Sequence, residues 1–385
     1  MIILRYILFP IVPIYYLVTW LRNRFYDLGV FESKSYVLPV ICVGNLSVGG
    51  TGKTPMIEYL IRLLKDEKHI ATLSRGYKRN TTGYYLADEN ATATTLGDEP
   101  FQFYKKFKNH IKVAVDADRQ NGIQSLMQHE ICPEVILLDD AYQHRKVNAG
   151  LNILLSTYDN LYTNDWVLPT GNLREPRAGA KRAQIIVVSK CPENLNPSEK
   201  SQIIKMINPK DHQNVFFSSI TYANEVCSED KSLNLNVLNK FTLVTGIADA
   251  NPLLNHLKSK GLDFEHLNFT DHYNFTKKDI DLFASKSVII TTEKDYVRLY
   301  RNEALKDKLY YLPISISIDD IKDREKWIEM IDKEKLSGTH LLADKEWKSQ
   351  YVIDNMIDQS GIPRYIIVDP KGYIVNSNAP RPSQE

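Results

Sequence analysis

Cys42-Val43-Gly44-Asn45-Leu46-Ser47-Val48-Gly49-Gly50-Thr51-Gly52-Lys53-Thr54-Pro55 is the stretch on which the reading of this sequence turns. An apolar run from Tyr36 to Val43 precedes the glycines and reads as a buried strand. The helical run Met56 to Leu64 follows them. Strand, glycine turn, Lys-Thr and helix together form the context of a phosphate-binding loop. Glycines let successive backbone N–H groups face one point, and the helix N-terminus adds positive potential there. Ser47, Val48, Gly49, Gly50, Thr51, Gly52, Lys53 and Thr54 are therefore the candidate nucleotide cradle. Lys53 reaches the outer phosphates and Thr54 Oγ1 can ligate Mg²⁺. The usual G-x-x-x-x-G-K-[ST] pattern would put its first glycine at Ser47. Pro55 suits a first helical turn, where its missing N–H is not needed.

The chain has 385 residues, 43% apolar and 25% charged, as in an ordinary globular protein with room for two domains and an appendage. A net charge of +1 gives no case for nucleic acid as a partner. The four cysteines, Cys42, Cys132, Cys191 and Cys227, are widely spaced and suggest neither a zinc site nor a disulfide framework. Met1 to Trp20 is apolar apart from Arg5 and a threonine, and Arg22 and Arg24 follow. About 20 apolar residues span a bilayer, so this run is borderline. A signal peptide lacks its small-x-small cleavage site here. A buried core helix is the plain alternative. The reading adopted is a helix in the membrane interface, with Tyr15, Tyr16, Trp20 and the arginines at headgroup level.

Further along, Ile70 to Leu73 reads as a strand ending in Ser74-Arg75-Gly76-Tyr77, and Tyr84 to Leu86 as a small hairpin. Thr92 to Thr95 reads as loop. Gly97-Asp98-Glu99-Pro100 opens a helix over Phe101 to Phe107. There Asp98 is either an N-cap or a carboxylate able to take a proton from a hydroxyl. Ile111 to Val115 is a strand, Gly122 to Glu130 a helix, and Val135 to Leu138 a buried strand ending in Asp139-Asp140. Four apolar residues followed by an acid form the second half of a phosphate site, delivering a carboxylate to Mg²⁺. Gln143 and His144 continue that loop and either line the site or only brace it.

Asn152 to Leu155, Ile185 to Val188 and Val215 to Ile220 are further strands. The basic, turn-rich segment Leu168 to Arg177 suits a mobile cover facing phosphate or lipid. Glu225 to Asn239 reads as a polar linker. A second α/β unit begins at Phe241, with strands over Phe264 to Phe269, Val288 to Thr291 and Leu309 to Ile314. Its helices cover Asn251 to Lys258 and Thr276 to Ala284. His272, at a strand end, is a candidate site residue, although loop histidines are commonly inert.

Taken together, Gly44-Asn45 with Gly49-Gly50-Thr51-Gly52-Lys53-Thr54-Pro55, Ser74-Arg75-Gly76-Tyr77, Gly97-Asp98-Glu99-Pro100, Asp139-Asp140 with Gln143-His144, Leu173-Arg174-Glu175-Pro176, Phe269 with Asp271-His272, and Thr291-Thr292-Glu293-Lys294-Asp295 resemble the tetraacyldisaccharide 4′-kinases of Gram-negative lipid A synthesis. The resemblance runs to about Leu336. It implies phosphoryl transfer from ATP, with Mg²⁺, to the 4′-hydroxyl of an acylated disaccharide 1-phosphate held in a membrane. By the resemblance, Asp98 is the base, paired with His272, while Asp139 and Asp140 are the metal acids. Glu99, Gln143 and His144 surround metal and phosphates, and Arg75, Tyr77, Arg119 and Arg174 face lipid or phosphate. The expected fold is an α/β P-loop NTPase-type, mostly parallel sheet with a second, smaller α/β domain and an N-terminal membrane-associated helix. The expected divisions are residues 1–30 (membrane-associated helix), 31–235 (P-loop core), 236–337 (second lobe) and 338–385 (appendage). The expected place is the cytoplasmic face of the inner membrane, and the expected state a monomer.

A membrane-associated switch ATPase of the partition type is the rival. Its signature lysine would fall on Val48, which cannot reach a phosphate across a dimer. Trp347 to Glu385 resembles the end of a thioredoxin-like domain, with Ile362-Pro363 as its cis-proline turn, but lacks a redox cysteine pair. A fragment of that length buries too little surface to fold alone. Deleting Leu336 onward is expected to spare phosphoryl transfer; an inactive truncation in a labelled-phosphate assay would show that the tail matters.

Overall fold

A computed structural model describes residues 8–238 and 240–318, together with the strand backbones Tyr365–Val368 and Ile374–Ala379. After a single 3₁₀ turn, helix α1 covers Val12–Asp27. Strand β1 covers Val40–Asn45, shorter than the apolar run suggests. Helix α2 is Lys53–Leu64, β2 is Ile70–Ser74 and β3 is Tyr85–Leu86. Helix α3 is Ala93–Leu96 and α4 is Asp98–Phe107. Then come β4 (Ile111–Val115), α5 (Arg119–Met127), β5 (Val135–Asp139), β6 (Leu151–Thr157), β7 (Ile185–Ser189), α6 (Pro197–Ile207) and β8 (Asn214–Tyr222). These strands, with β15 (Ile314–Ile318), form a nine-stranded sheet in the order β15-β8-β7-β6-β1-β5-β2-β4-β3. All neighbours are parallel except the two outermost pairs.

The burial explains the order. Strands β1, β2, β5 and β7 are buried at every residue, as parallel strands covered on both faces must be. Helix α2 presents Met56, Ile57, Leu60, Ile61 and Leu64 on one stripe, and all five are buried. Strand β1 lies between β5 and β6, while the chain reaches β2 only beyond β5. That reversal opens a crevice at the carboxyl ends of β1 and its neighbours, where open α/β sheets take ligands.

A second, six-stranded sheet has the order β10-β9-β14-β13-β11-β12. Its members are β9 (Glu225–Cys227), β10 (Ser232–Asn234), β11 (Lys240–Thr245), β12 (Asp263–Asn268), β13 (Ile289–Thr291) and β14 (Leu309–Tyr311). Helices α7 (Asn251–Ser259), α8 (Lys277–Ala284) and α9 (Glu293–Leu299) accompany it. Here three expectations are corrected. The segment read as a linker forms β9 and β10, because Val226 and Leu235 are apolar enough to be fully buried under β11 and β13. The run Leu309 to Ile314 splits: β14 stays in this sheet while β15 crosses back to pair with β8. Ala93–Leu96, overlapping the stretch read as loop, is helical, since Thr92 as N-cap and Thr95 close a reciprocal capping box.

Lys326–Glu385 is a separate compact unit, in which Tyr365–Val368 pairs antiparallel with Ile374–Ala379. The expected Ile362-Pro363 turn lies outside the described residues. Among the described residues no helix is long and apolar enough to cross a membrane.

Gly44 shows how closely the crevice is packed. A Cβ there would lie 2.5 Å from Tyr142 Cβ and 3.1 Å from Tyr142 N. Gly44→Ala is expected to destabilise the fold by about 1–3 kcal/mol through overpacking. A thermal melt checks this; an unchanged midpoint would mean that β1 and the loop after β5 are not held against each other.

Candidate active site

The loop from Ser47 to Gly52 leaves β1 and enters α2. Gly49 and Gly52 have φ of 110° and 85°, which side chains other than glycine rarely tolerate. Gly49 faces open space. Thr51 Oγ1 and Asn45 Nδ2 are buried without a protein partner, an unusual state for polar atoms and one suited to a phosphate cradle. Lys53 Nζ lies 3.4 Å from Asn45 Oδ1 and 3.6 Å from Asp140 Oδ1, so it is aimed from the loop toward the end of β5. Thr54 is half-buried on the first turn of α2. Ser47, Val48, Gly49, Gly50 and Thr51 also line a cavity of about 320 Å³ together with Lys190, Tyr222 and Asp249.

Asp139 ends β5, buried, and accepts from Ser74 Oγ at 3.3 Å. Burial and the neighbouring Asp140 charge push its carboxyl up to about 7. Burial acts on Asp140 too, but Lys53 and Arg174 outweigh it and hold that carboxyl below its usual range. Arg174 Nη1 donates to both Asp140 oxygens, at 3.0 and 3.2 Å. Two adjacent carboxylates and the Thr54 hydroxyl are hard oxygen donors that fit Mg²⁺. Among the described residues no three His, Cys, Asp or Glu side chains form a self-sufficient metal cage. Mg²⁺ asks for none, since it keeps waters and substrate phosphates as ligands.

Asp98 is the first residue of α4, with Gly97 as the cap, so it does not serve as the N-cap. Its Oδ2 lies 3.2 Å from His272 Nδ1, a contact between a helix over the first sheet and a loop of the second. On the other side of that ring, Lys294 Nζ is 2.9 Å from His272 Nε2. An ammonium only donates, so Nε2 accepts and Nδ1 carries the proton toward Asp98. Arg298 also grips Asp98, from Nε at 3.0 Å and from Nη2. Burial alone would raise the Asp98 carboxyl; Arg298 and His272 reverse this and hold it low. Glu99 Oε1 lies 3.7 Å from Lys294 Nζ.

Gln143 Nε2 donates to Asn45 O at 2.8 Å and to Glu175 Oε1 at 3.1 Å, which braces the loop after β5 against β1. His144 Nε2 is buried without a protein partner, and burial with the nearby Arg119 charge lowers this imidazole to about 4, so it is neutral. Arg75 and Tyr77 are exposed at the end of β2, with the Tyr77 ring 6.0 Å from that of His272. Arg119 corrects an expectation. It is only 3% exposed and its Nη1 and Nη2 donate to the carbonyls of Asp116 (2.8 Å) and Asp139 (3.5 Å), while its Nε is buried without a protein partner, so it braces strand ends rather than facing solvent. The Leu168 to Arg177 segment is not a loose cover. Val48 N donates to Asn172 O at 2.8 Å and Arg174 N to Leu46 O at 2.7 Å, which pins it to the phosphate loop.

Sequence reasoning missed Arg298 and Lys106, and it placed Asn45 in a family motif without giving it a role. Arg298 was legible in principle, four residues after Lys294 and so on the same helix face. Lys106 was not: it pairs with Glu58 of α2 at 2.7 Å and with Glu293 of α9, a meeting of three helices that no spacing reveals.

A paired phosphate loop and acidic strand end, faced by a carboxylate–imidazole pair, define a P-loop phosphotransferase. A family model described as tetraacyldisaccharide-1-P 4'-kinase (LpxK) matches residues 4–334. A tetraacyldisaccharide 4'-kinase of Flavobacterium johnsoniae is 51% identical over 317 residues, 81% of this chain and 92% of that protein. One from Bacteroides thetaiotaomicron is 44% identical over 336 residues, 81% and 88% of the two chains. The crystal structure of Aquifex aeolicus LpxK in complex with ATP superposes with a TM-score of 0.69 at 31% identity, covering 85% of this chain and 99% of that one. The chain belongs to the tetraacyldisaccharide-1-P 4'-kinase family, and is thus a kinase of lipid A synthesis rather than a switch ATPase.

Glu293 supplies a test of the buried charges. It is 7% exposed, and burial together with the Glu58 charge raises it from 4.5 to about 7 despite Lys106. A raised acid favours its neutral form in the fold, so this contribution is present below pH 4.5 and lost as pH rises through 7. Urea unfolding at pH 5, 6.5 and 8 is expected to show a stability drop that Glu293→Gln largely removes. An equal drop in both proteins would place its origin elsewhere.

Proposed function

We propose that Asp98 and His272 form the base that deprotonates the 4′-hydroxyl of tetraacyldisaccharide 1-phosphate for attack on the γ-phosphorus of ATP. The observation that carries this reading is the 3.2 Å contact between Asp98 Oδ2 and His272 Nδ1, formed across two sheets, with the adjacent Glu99 near enough for its charge to act on Asp139. In this reading Asp98 Oδ1 takes the hydroxyl proton as the new P–O bond forms and the bond to the β-phosphate breaks, releasing ADP. His272 orients the carboxylate, and its cation-facing Nε2 keeps the tautomer fixed. The Ser47–Thr54 loop holds the triphosphate, with Lys53 on the outer phosphates, and the 320 Å³ cavity beside it takes the nucleoside. Thr54, Asp139, Asp140 and Glu99 would hold Mg²⁺, which when bound neutralises developing phosphate charge. Arg75, Tyr77 and Arg174 face the acceptor and its phosphates.

The second sheet is joined to the first by two short crossings, 222–225 and 311–314. They run side by side, with Ala223 N donating to Pro313 O at 3.0 Å. That is where the His272 side can tilt to close on substrate and exclude water, so that ATP is not hydrolysed. The division expected from sequence, a helix to residue 30, a phosphate-loop core and a second lobe, serves this reading with two changes: β9 and β10 go with the second lobe, and β15 goes with the first sheet.

The acceptor carries four acyl chains, and each CH₂ buried in a bilayer is worth about 0.8 kcal/mol, so the enzyme must go to it. On α1 the side chains of Ile14, Leu17, Val18 and Trp20 are exposed, and Phe9 meets the exposed Trp166 ring edge-on at 6.2 Å. This surface would lie in the inner-membrane interface on the cytoplasmic side, where ATP is. A monomer suffices, since every proposed site residue comes from one chain.

A labelled-phosphate transfer assay with lipid A disaccharide in detergent micelles tests the reading. Lys53→Ala is expected to abolish transfer. Asp98→Ala should cut kcat by about 10²–10⁴-fold with far less effect on KM for ATP. Combined with His272→Ala it should cost little more than the worse single change, because the two act as a unit. Full additivity would refute the pairing.

A further inference from the structure

Helix α9 puts Lys294 and Arg298 one turn apart on one face. Lys294 serves His272 and the acids around it, at 3.2 Å from Asp271 and 3.7 Å from Glu99. Arg298 does something more particular. Its Nε and Nη2 both donate to Asp98 Oδ2, the oxygen that His272 also meets. Nη2 also lies 3.0 Å from His272 Nδ1; both nitrogens carry hydrogens, so they converge on the shared Oδ2 rather than bond each other. None of these contacts uses Asp98 Oδ1. Behind the guanidinium, Nη1 is held by Asp295 Oδ1 at 3.3 Å, and Asp295 is fully buried and fixed by Gly246 N (2.9 Å) and Thr292 Oγ1 (2.7 Å).

We propose that Arg298 is a positioning residue for phosphoryl transfer: it fixes the Oδ2 edge of Asp98, with Asp295 as its own anchor, and so aims Oδ1 at the acceptor hydroxyl. The inference rests on the reading of Asp98 as the base. A carboxylate held by one hydrogen bond still swivels about its terminal torsion. A guanidinium gripping one oxygen from two nitrogens, alongside an imidazole, removes that freedom. The grip also weakens Asp98 as a base, because a cation stabilises the carboxylate. Geometry and basicity therefore pull in opposite directions, and the sign of the effect decides between them. A misplacement of about 1 Å in a reacting group costs about 10²-fold in rate, so aim should win.

The test uses the full chain with ATP and the lipid acceptor in micelles. Arg298→Ala is expected to lower kcat by about 10²-fold, with KM for ATP changed by less than about threefold. Arg298→Lys, which keeps the charge but not the fork, should fall between. Added guanidinium ion at millimolar concentration should restore part of the Arg298→Ala rate and none of the Asp98→Asn rate. If Arg298→Ala matches or exceeds the parent kcat, the positioning role is overturned. It is also overturned if the loss comes with a lowered melting temperature and no guanidinium rescue, which would make Arg298 a strut between helices. Asp98→Asn separates the two readings: if that variant keeps its rate, the base assignment itself fails, whatever Arg298 does.

Discussion

One carboxylate, gripped from across the gap between two sheets, is the constraint on which this molecule depends. Asp98 starts a helix that lies on the nine-stranded sheet, and its partners His272 and Arg298 come from the six-stranded one. The grip does not act alone. Along the same pair of helices, Phe101 packs with Val297 and lies 5.9 Å from the Tyr300 ring. At the far end Lys106 joins Glu58 and Glu293. Ionic, apolar and ionic contacts thus follow one another down α4 and α9. Buried ion pairs of this kind contribute little net stability, because desolvation offsets attraction. Their effect is on register: a slip of one turn would strand a buried charge at each end, and an uncompensated buried charge is strongly destabilising.

The edge of the crevice also carries backbone strain. Asp140 and His272 have φ of 48° and 57°, in the left-handed region that non-glycine residues avoid at a cost of about 1–2 kcal/mol each. In both cases side-chain contacts hold the residue there: Arg174 on Asp140, Asp98 and Lys294 on His272. The same contacts set the charge pattern. Asp140 sits among cations and is readily ionised, while Asp139, buried behind it, is not. A divalent cation at this place would meet one carboxylate already charged and one that ionises in its presence.

The phosphate loop, β5 with its paired acids, and the second α/β unit were all legible because each has a local signature: glycines before Lys53, four apolar residues before Asp139, a new apolar strand at Phe241. What failed to show was whatever depends on distant partners. Glu225 to Asn239 looks polar enough for a linker, yet Val226 and Leu235 suffice to pin two short strands once a sheet edge is available. The resemblance implies that Arg119 faces lipid or phosphate, but the carbonyls its Nη atoms meet belong to the ends of β4 and β5. Asp98 illustrates the same limit more sharply. Its position after Gly97 fits a cap, and only the fold shows that its carboxylate turns away from the helix N–H groups toward Arg298, two hundred residues on.

The N-terminal helix links this site to the proposed membrane face. It is only 16 residues long, and its outward apolar side chains lack a protein partner surface among the described residues. Its inward side, however, is bonded to the site's own loops. Tyr15 Oη donates to Arg174 O at 2.8 Å, Arg22 Nη2 to Gln143 O at 2.9 Å, and Asn23 Nδ2 to Glu175 Oε2 at 2.5 Å. Arg174 and Gln143 are the residues that touch Asp140 and the end of β1. A helix that served only as a tether would need no such bonds, since any flexible linker would hold the enzyme near a bilayer. Direct bonding instead fixes the distance and tilt between the exposed apolar side of α1 and the phosphate cradle. That geometry is required if a sugar hydroxyl is to reach a nucleotide phosphate while its acyl chains stay in the membrane.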